Sequence, residues 1–178
     1  MKIRMIIGCV LTLFGPTLLA GAAVYQQPDD FLAEAFAGEA PSAQALWIKA
    51  DLKQELSQVL GHPPGLRVRY WRAGNRTAWI LDEIGKDLPI TAGIVIDDGA
   101  IEDVRVLEFR ESRGWEIRYP FFTRQFHNAR LQDDRLTQNI DGITGATLSV
   151  RAMKRMATAA LLLHEHSNSS GTTLAKAR

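Results

Sequence analysis

The chain has 178 residues, 46% of them hydrophobic, and a formal charge of +1, enough for one domain with a core of its own. No basic tail or arginine-rich face gathers phosphates along a nucleic acid, so nucleic-acid binding is not expected. The single cysteine, Cys9, lies near the start and leaves the remainder without a disulfide, a cysteine-held iron–sulfur cluster or a thioether-linked haem.

Residues 1–24 differ from the rest. Lys2 and Arg4 precede an apolar run from Met5 to Leu19, followed by the small residues Ala20, Gly21 and Ala22. A basic start, an apolar stretch and an A-x-A-like site make an export leader, either cleaved or retained as a membrane anchor of about 20 residues. In both cases Lys2 and Arg4 stay inside, and the domain is expected outside the cytoplasm, in the periplasm or on the outer face of the cytoplasmic membrane. A lipoprotein reading of Cys9 fails because the apolar run follows the cysteine instead of preceding it.

Asp29 to Ala37 reads as a short helix. Ser42 to Leu60 reads as a longer one, with Ile48, Leu52 and Leu56 on one face, closed by Gly61, Pro63 and Pro64. The period then changes to two: Leu66, Val68 and Tyr70 alternate with arginines, Ala73 to Asn75 turns, and Thr77 to Ile84 returns as a hairpin. A second hairpin runs from Ile90 to Ile96, turns at Asp97-Asp98-Gly99, and returns along Ala100 to Phe109. Pro120 starts a short helix through Phe121 to Asn128. From Ser149 to His166 apolar residues recur at helical spacing, whereas Ser167 to Arg178 is polar, small and expected to be disordered. The organisation is therefore a leader over 1–24, a domain over 25–166 and a tail over 167–178. The fold class is α+β: an antiparallel sheet of hairpins, with helices before it and one at the C-terminal end. A strand–G-x-G-x-x-G–helix unit is absent, so a Rossmann-type site has no support.

The most informative stretch is Asp141-Gly142-Ile143-Thr144-Gly145-Ala146-Thr147-Leu148-Ser149, where a loop becomes the last helix. Its small residues let a ligand approach the backbone, and a helix start offers unpaired N–H groups suited to a phosphate. Arg151, Lys154 and Arg155 put cations in the first turns, where the helix dipole favours acids; a bound anion would make them reasonable. By physics alone, ordinary turn and N-cap residues explain the stretch equally well.

Asp141-x-x-Thr144-Gly145-Ala146-Thr147 resembles the D-x-x-[ST]-G-A-[ST] motif of the FMN-binding domain family, which includes flavin subunits of sodium-translocating NADH:quinone reductases and Rnf-type complexes. Upstream, Gly93 to Ile101 resembles the family's G-x-[VI]-x-[VI]-D-x-D-G-x-[IV] hairpin. Glu111-Ser112-Arg113-Gly114 resembles its E-[ST]-P-G turn, with Arg113 in place of proline. The resemblance implies FMN joined through its phosphate to Thr147, installed after export by an FAD-dependent FMN transferase that needs magnesium. It also implies electron transfer between a membrane redox protein (a quinone reductase, a cytochrome or a ferric-reductase-like protein) and an acceptor outside the cytoplasm. No small-molecule substrate is expected. Glu111, Ser112 and Gly114 would form the turn beside the isoalloxazine, and Trp115 would cover the ring or belong to the core. Asp141 would assist attachment or cap a turn. A module that holds FMN or another phosphate compound without a covalent bond, and an interaction subunit whose Gly-Ala-Thr loop is only structural, remain open.

Other residues read as structural. His164 and His166, two apart on a helix, point about 200° from each other, too far for one metal, and His62 and His127 stand alone in the sequence. Ser149 reads as an N-cap, and Trp47, Trp71, Trp79, Phe121 and Phe122 as core and groove wall. The acids Asp82, Glu83, Asp133 and Asp134 read as solvated surface.

Overall fold

The computed structural model describes residues 22–175, with side chains described through Ser169; the apolar run and Cys9 of the leader lie outside the described residues. A short strand β1 (Ala23–Val24) leads into helix α1 (Pro28–Ala35), strand β2 (Gln44–Trp47) and helix α2 (Ala50–Leu60). Strands β3 (Arg67–Ala73), β4 (Arg76–Ile84), β5 (Pro89–Asp97) and β6 (Ala100–Phe109) follow. A 3-10 turn over Trp115–Arg118, helix α3 (Pro120–Thr123) and a small hairpin of β7 (Leu131–Gln132) and β8 (Arg135–Leu136) lead to helix α4 (Thr147–Ala175). The main sheet is antiparallel in the order β1-β6-β5-β4-β3-β2. This is the expected α+β architecture.

The two hairpins turn where the sequence places them. Asp98 and Gly99 both have positive φ, 47° and 74°, as a two-residue reversal of twisted strands requires. Strand β5 is buried along nearly its whole length because the sheet is covered on both faces. Ile90, Ala92, Ile94 and Ile96 meet the core beneath α2 and α4, while Val95 faces the smaller cluster built on Phe31 and Leu32 of α1. Gly93 lies directly under the Phe31 ring, where an added Cβ would come within 2.6 Å of a ring carbon. The hairpin glycine thus admits an aromatic side chain to the sheet.

The structure corrects two expectations and adds two details. Residues 44–47 form a strand and not the first turns of a helix. Leu46 points inward by strand alternation, and the edge of β3 supplies the hydrogen-bond partners, a tertiary gain that overrides local helix propensity. Ala23 and Val24, where the expected leader would end, pair with Phe109 and Glu108. Between α3 and α4 the β7–β8 hairpin is turned by Asp133 and Asp134 with positive φ. The final helix continues past His166 to Ala175. Ser167 ties it to β3 by accepting a hydrogen bond from Arg72, and the Asn168 amide meets the His164 ring one turn back on the same helix.

Candidate functional site

The two motifs that lie far apart in sequence meet at the start of α4. Gly114, with φ of 89°, packs so closely that an added Cβ would lie 2.5 Å from Ser149 Oγ and 3.4 Å from Ala146 Cβ. The 111–114 loop is therefore docked on the Gly-Ala-Thr segment, and only a glycine permits both the backbone angle and the approach. Ser149 is buried in this contact, 4% exposed and inside the helix; it is not the N-cap its position suggested.

Glu111 holds the other side of the loop. Its Oε1 accepts hydrogen bonds from the backbone N–H groups of Lys86, Asp87 and Leu88, at 2.5, 2.6 and 2.9 Å. A carboxylate with three such donors fixes the β4–β5 turn against the loop. Glu111 lines the same cavity as Thr147, and its visible task is to brace the walls.

Thr147 is the first residue of α4 and is exposed. Before it the chain makes a tight turn, the Ala146 N–H donating to the Ile143 carbonyl at 3.0 Å, with Gly145 at φ 85°. A β-turn with positive φ at its third residue favours glycine there. Around Gly142 and Gly145 an added Cβ would meet nothing within 4 Å, so space beside this backbone is open to a ligand. Asp141, Thr144 and Leu148 are exposed and Ile143 half-buried. The Asp141 N–H donates to Gln125 Oε1 at 2.7 Å, which ties the motif to the α3 region.

Thr147 stands between two cavities. One, of about 560 Å³, is lined by Glu111, Ser112, Arg113 and the 145–149 segment, with Lys86 at its edge. The other, of about 850 Å³, runs along the helix past Arg151, Lys154 and Arg155 to Thr158, with Arg135, Gln138 and Asn139 opposite. Both volumes fall in the range of small-molecule sites. Among the described residues none hydrogen-bonds the Thr147 hydroxyl. The second cavity gathers the cations expected near a phosphate.

Arg155 is also oriented from below. Its guanidinium donates to Glu83 Oε1 at 3.3 Å, and His62 Nε2 meets Glu83 Oε2 at 3.0 Å. Glu83 is 3% exposed, which overturns the surface reading of this acid and joins His62 to a network. The hydrogen bond to Glu83 raises the His62 pKa. Neither Glu83 nor Lys86 stands out in the sequence, because a buried bridging acid and a turn lysine carry no pattern of their own.

Trp115 is 41% exposed and so is not a core tryptophan. It packs edge-on against Tyr119 immediately after the docked loop. Trp79 and Phe122 are in the core as expected, whereas Trp47 and Phe121 are 60% and 61% exposed. Their pairing and turn positions leave them outside both apolar clusters.

Residues 85–162 match the family model of the FMN-binding domain. The matched span opens at the turn braced by Glu111, closes within α4, and contains both motifs and most of the walls of both cavities. Over these residues the chain is similar to the FMN-binding domain family, which supports FMN binding. Comparison with curated proteins and with solved structures gave no match.

Proposed function

We propose that this chain is an exported electron carrier in which Thr147 holds FMN through a phosphoester bond. The single observation that carries the reading is the placement of one exposed threonine hydroxyl at a helix start, between an open loop-lined cavity and a cationic one. In attachment, Thr147 Oγ1 bonds to the FMN-side phosphorus of FAD and loses its proton, and the diphosphate P–O bond breaks to release AMP. A dedicated magnesium-dependent transferase catalyses this step.

The chain's residues then have separate tasks. The α4 N–H groups and Arg151 with Lys154 neutralise the phosphate. Gly142 and Gly145 leave room beside the backbone. The loop at Ser112 to Gly114, braced by Glu111, forms a wall for the ring system, and Trp115 lies just beyond it. Asp141, exposed six residues before Thr147, orients the acceptor during attachment. FMN, once bound, supplies one- or two-electron chemistry, and the protein supplies position and electrostatics. A covalent tie keeps the cofactor from dilution outside the cytoplasm. The apolar run after Lys2 and Arg4 supports export, with a membrane redox protein as electron partner.

The acceptor is tested by co-expression with the transferase and in-gel flavin fluorescence. Thr147→Val should abolish the fluorescent band and Ser149→Ala should keep it. A band that survives Thr147→Val would assign the bond elsewhere, and bound flavin lost entirely on denaturation of the wild type would favour the non-covalent module.

A further inference from the structure

Beyond the docked loop, Trp115, Tyr119 and Phe121 are 41%, 37% and 61% exposed. They form a continuous run of rings, with centroids 5.8 Å apart for Trp115–Tyr119 and 6.1 Å for Tyr119–Phe121. Arg118 stacks over Tyr25, Tyr119 and Trp115 at 4.5, 4.7 and 5.4 Å. Arg113 and Arg124 are exposed along the same segment. Grouped exposed aromatics mark an interaction surface. Rings with polar edges among arginines suit a membrane–water boundary, where the ring is buried and the charge meets headgroups.

The patch begins beside the docked loop at the end of β6. Strand β6 runs toward Arg110 and the 111–114 loop, and β1 pairs antiparallel to it, Ala23 opposite Phe109. Trp115 follows that loop directly, while Arg118 and Tyr119 lie beside Tyr25, Arg105 and Val106 along the β1–β6 edge. Among the described residues no helix is long and apolar enough to cross a membrane, so contact by the domain itself is contact at the surface.

We propose that the Trp115–Tyr119–Phe121 patch seats on an anionic phospholipid surface, with the docked 111–114 loop next to it. The seating rests on the export reading for which membrane is met, and needs no flavin. It would hold the cofactor within reach of a membrane redox partner, with Arg124 and Arg113 meeting lipid phosphates.

The test uses the full chain with Cys9→Ser and Thr147→Val, so that failure of the flavin reading cannot affect it. A spin label is placed at Phe121→Cys or, at the opposite end of the sheet, at Asn75→Cys, and the chain is reconstituted in anionic vesicles. The expected result is a label at 121 that collides with oxygen and is shielded from a water-soluble nickel reagent, while the label at 75 stays open to water. Arg124→Gln should lower the seated-to-unseated ratio about fivefold, the loss of one surface cation. Equal water access at both labels overturns the proposal. Shielding that is as strong in zwitterionic vesicles and indifferent to Arg124→Gln overturns the anionic-lipid assignment. Shielding that arises only when a second membrane protein is added gives the patch to a protein partner instead, and also overturns it.

Discussion

The two ends of α4 use polar residues in opposite ways. Toward its C-terminal half His164, 2% exposed, sits in a closed network: its Nδ1 is 2.8 Å from Thr77 Oγ1, which also accepts from Trp79 Nε1 at 2.9 Å, and its Nε2 is 3.1 Å from the Asn168 amide. At the helix start Thr147 is exposed between two cavities, beside a glycine turn with open space around it. A buried polar group with every partner in place fixes the helix to the sheet. A hydroxyl left open at a helix start, with cations one and two turns on, is available to a ligand. Stability and cofactor attachment should therefore respond to different substitutions along the same helix.

The largest effect should come from acid at the buried end. Burial first, and Arg72 second, lower the His164 pKa from 6.5 to about 4. Its folded value lies below its unfolded one, so the unfolded chain binds the proton more readily. The stabilisation is complete above pH 6.5 and is lost as pH falls toward about 4. The loss amounts to about 3 kcal/mol. Denaturant titrations across this range should show it, and His164→Gln should flatten the dependence. The exposed His62 works in the other direction: raised by Glu83, its smaller contribution is present at low pH and fades as pH rises through its folded pKa.

Two glycine substitutions separate the regions next. Gly93→Ala drives a methyl into the Phe31 ring and should cost about 1–3 kcal/mol, lowering the melting temperature while flavin labelling persists. Gly114→Ala combines a clash at Ser149 with a left-handed backbone and should cost a similar 1–3 kcal/mol, roughly. It should also reduce labelling, because the loop no longer docks on the motif. Equal labelling in both variants would break the division between site and frame.

The smallest change in stability is expected from Arg151→Glu. A charge reversal in the first turns of α4 alters unfolding by only about 0.3–1 kcal/mol, and its sign favours the helix. Labelling should nonetheless slow, since the phosphate loses a cation. Unchanged labelling kinetics would remove Arg151 from the phosphate site.

The hairpins and the last helix were legible because each carries its own signal. Asp98-Gly99 supplies the turn angles, β5 is a near-continuous apolar run, and the face of α4 repeats at helical spacing. Strand β2 was not, since residues 44–47 become a strand only by pairing with β3. For the site, Thr147 and its loop could be read because the motif is contiguous, and the 111–114 turn because it resembles a second motif. The Glu111 brace, the Gly114–Ser149 contact and the Glu83 bridge between His62 and Arg155 join distant residues that share no local pattern. Even the misread serine is informative: Ser149 looks like a cap in sequence and proves to be the surface on which the loop rests.

Intact mass of the denatured, exported chain is the most direct measurement, made after co-expression with an FMN transferase. The proposed ester predicts a species heavier than the polypeptide by one FMN less one water, with the added mass on the peptide that contains Thr147. A chain of polypeptide mass alone, from cells in which a known acceptor protein is labelled, would contradict the account.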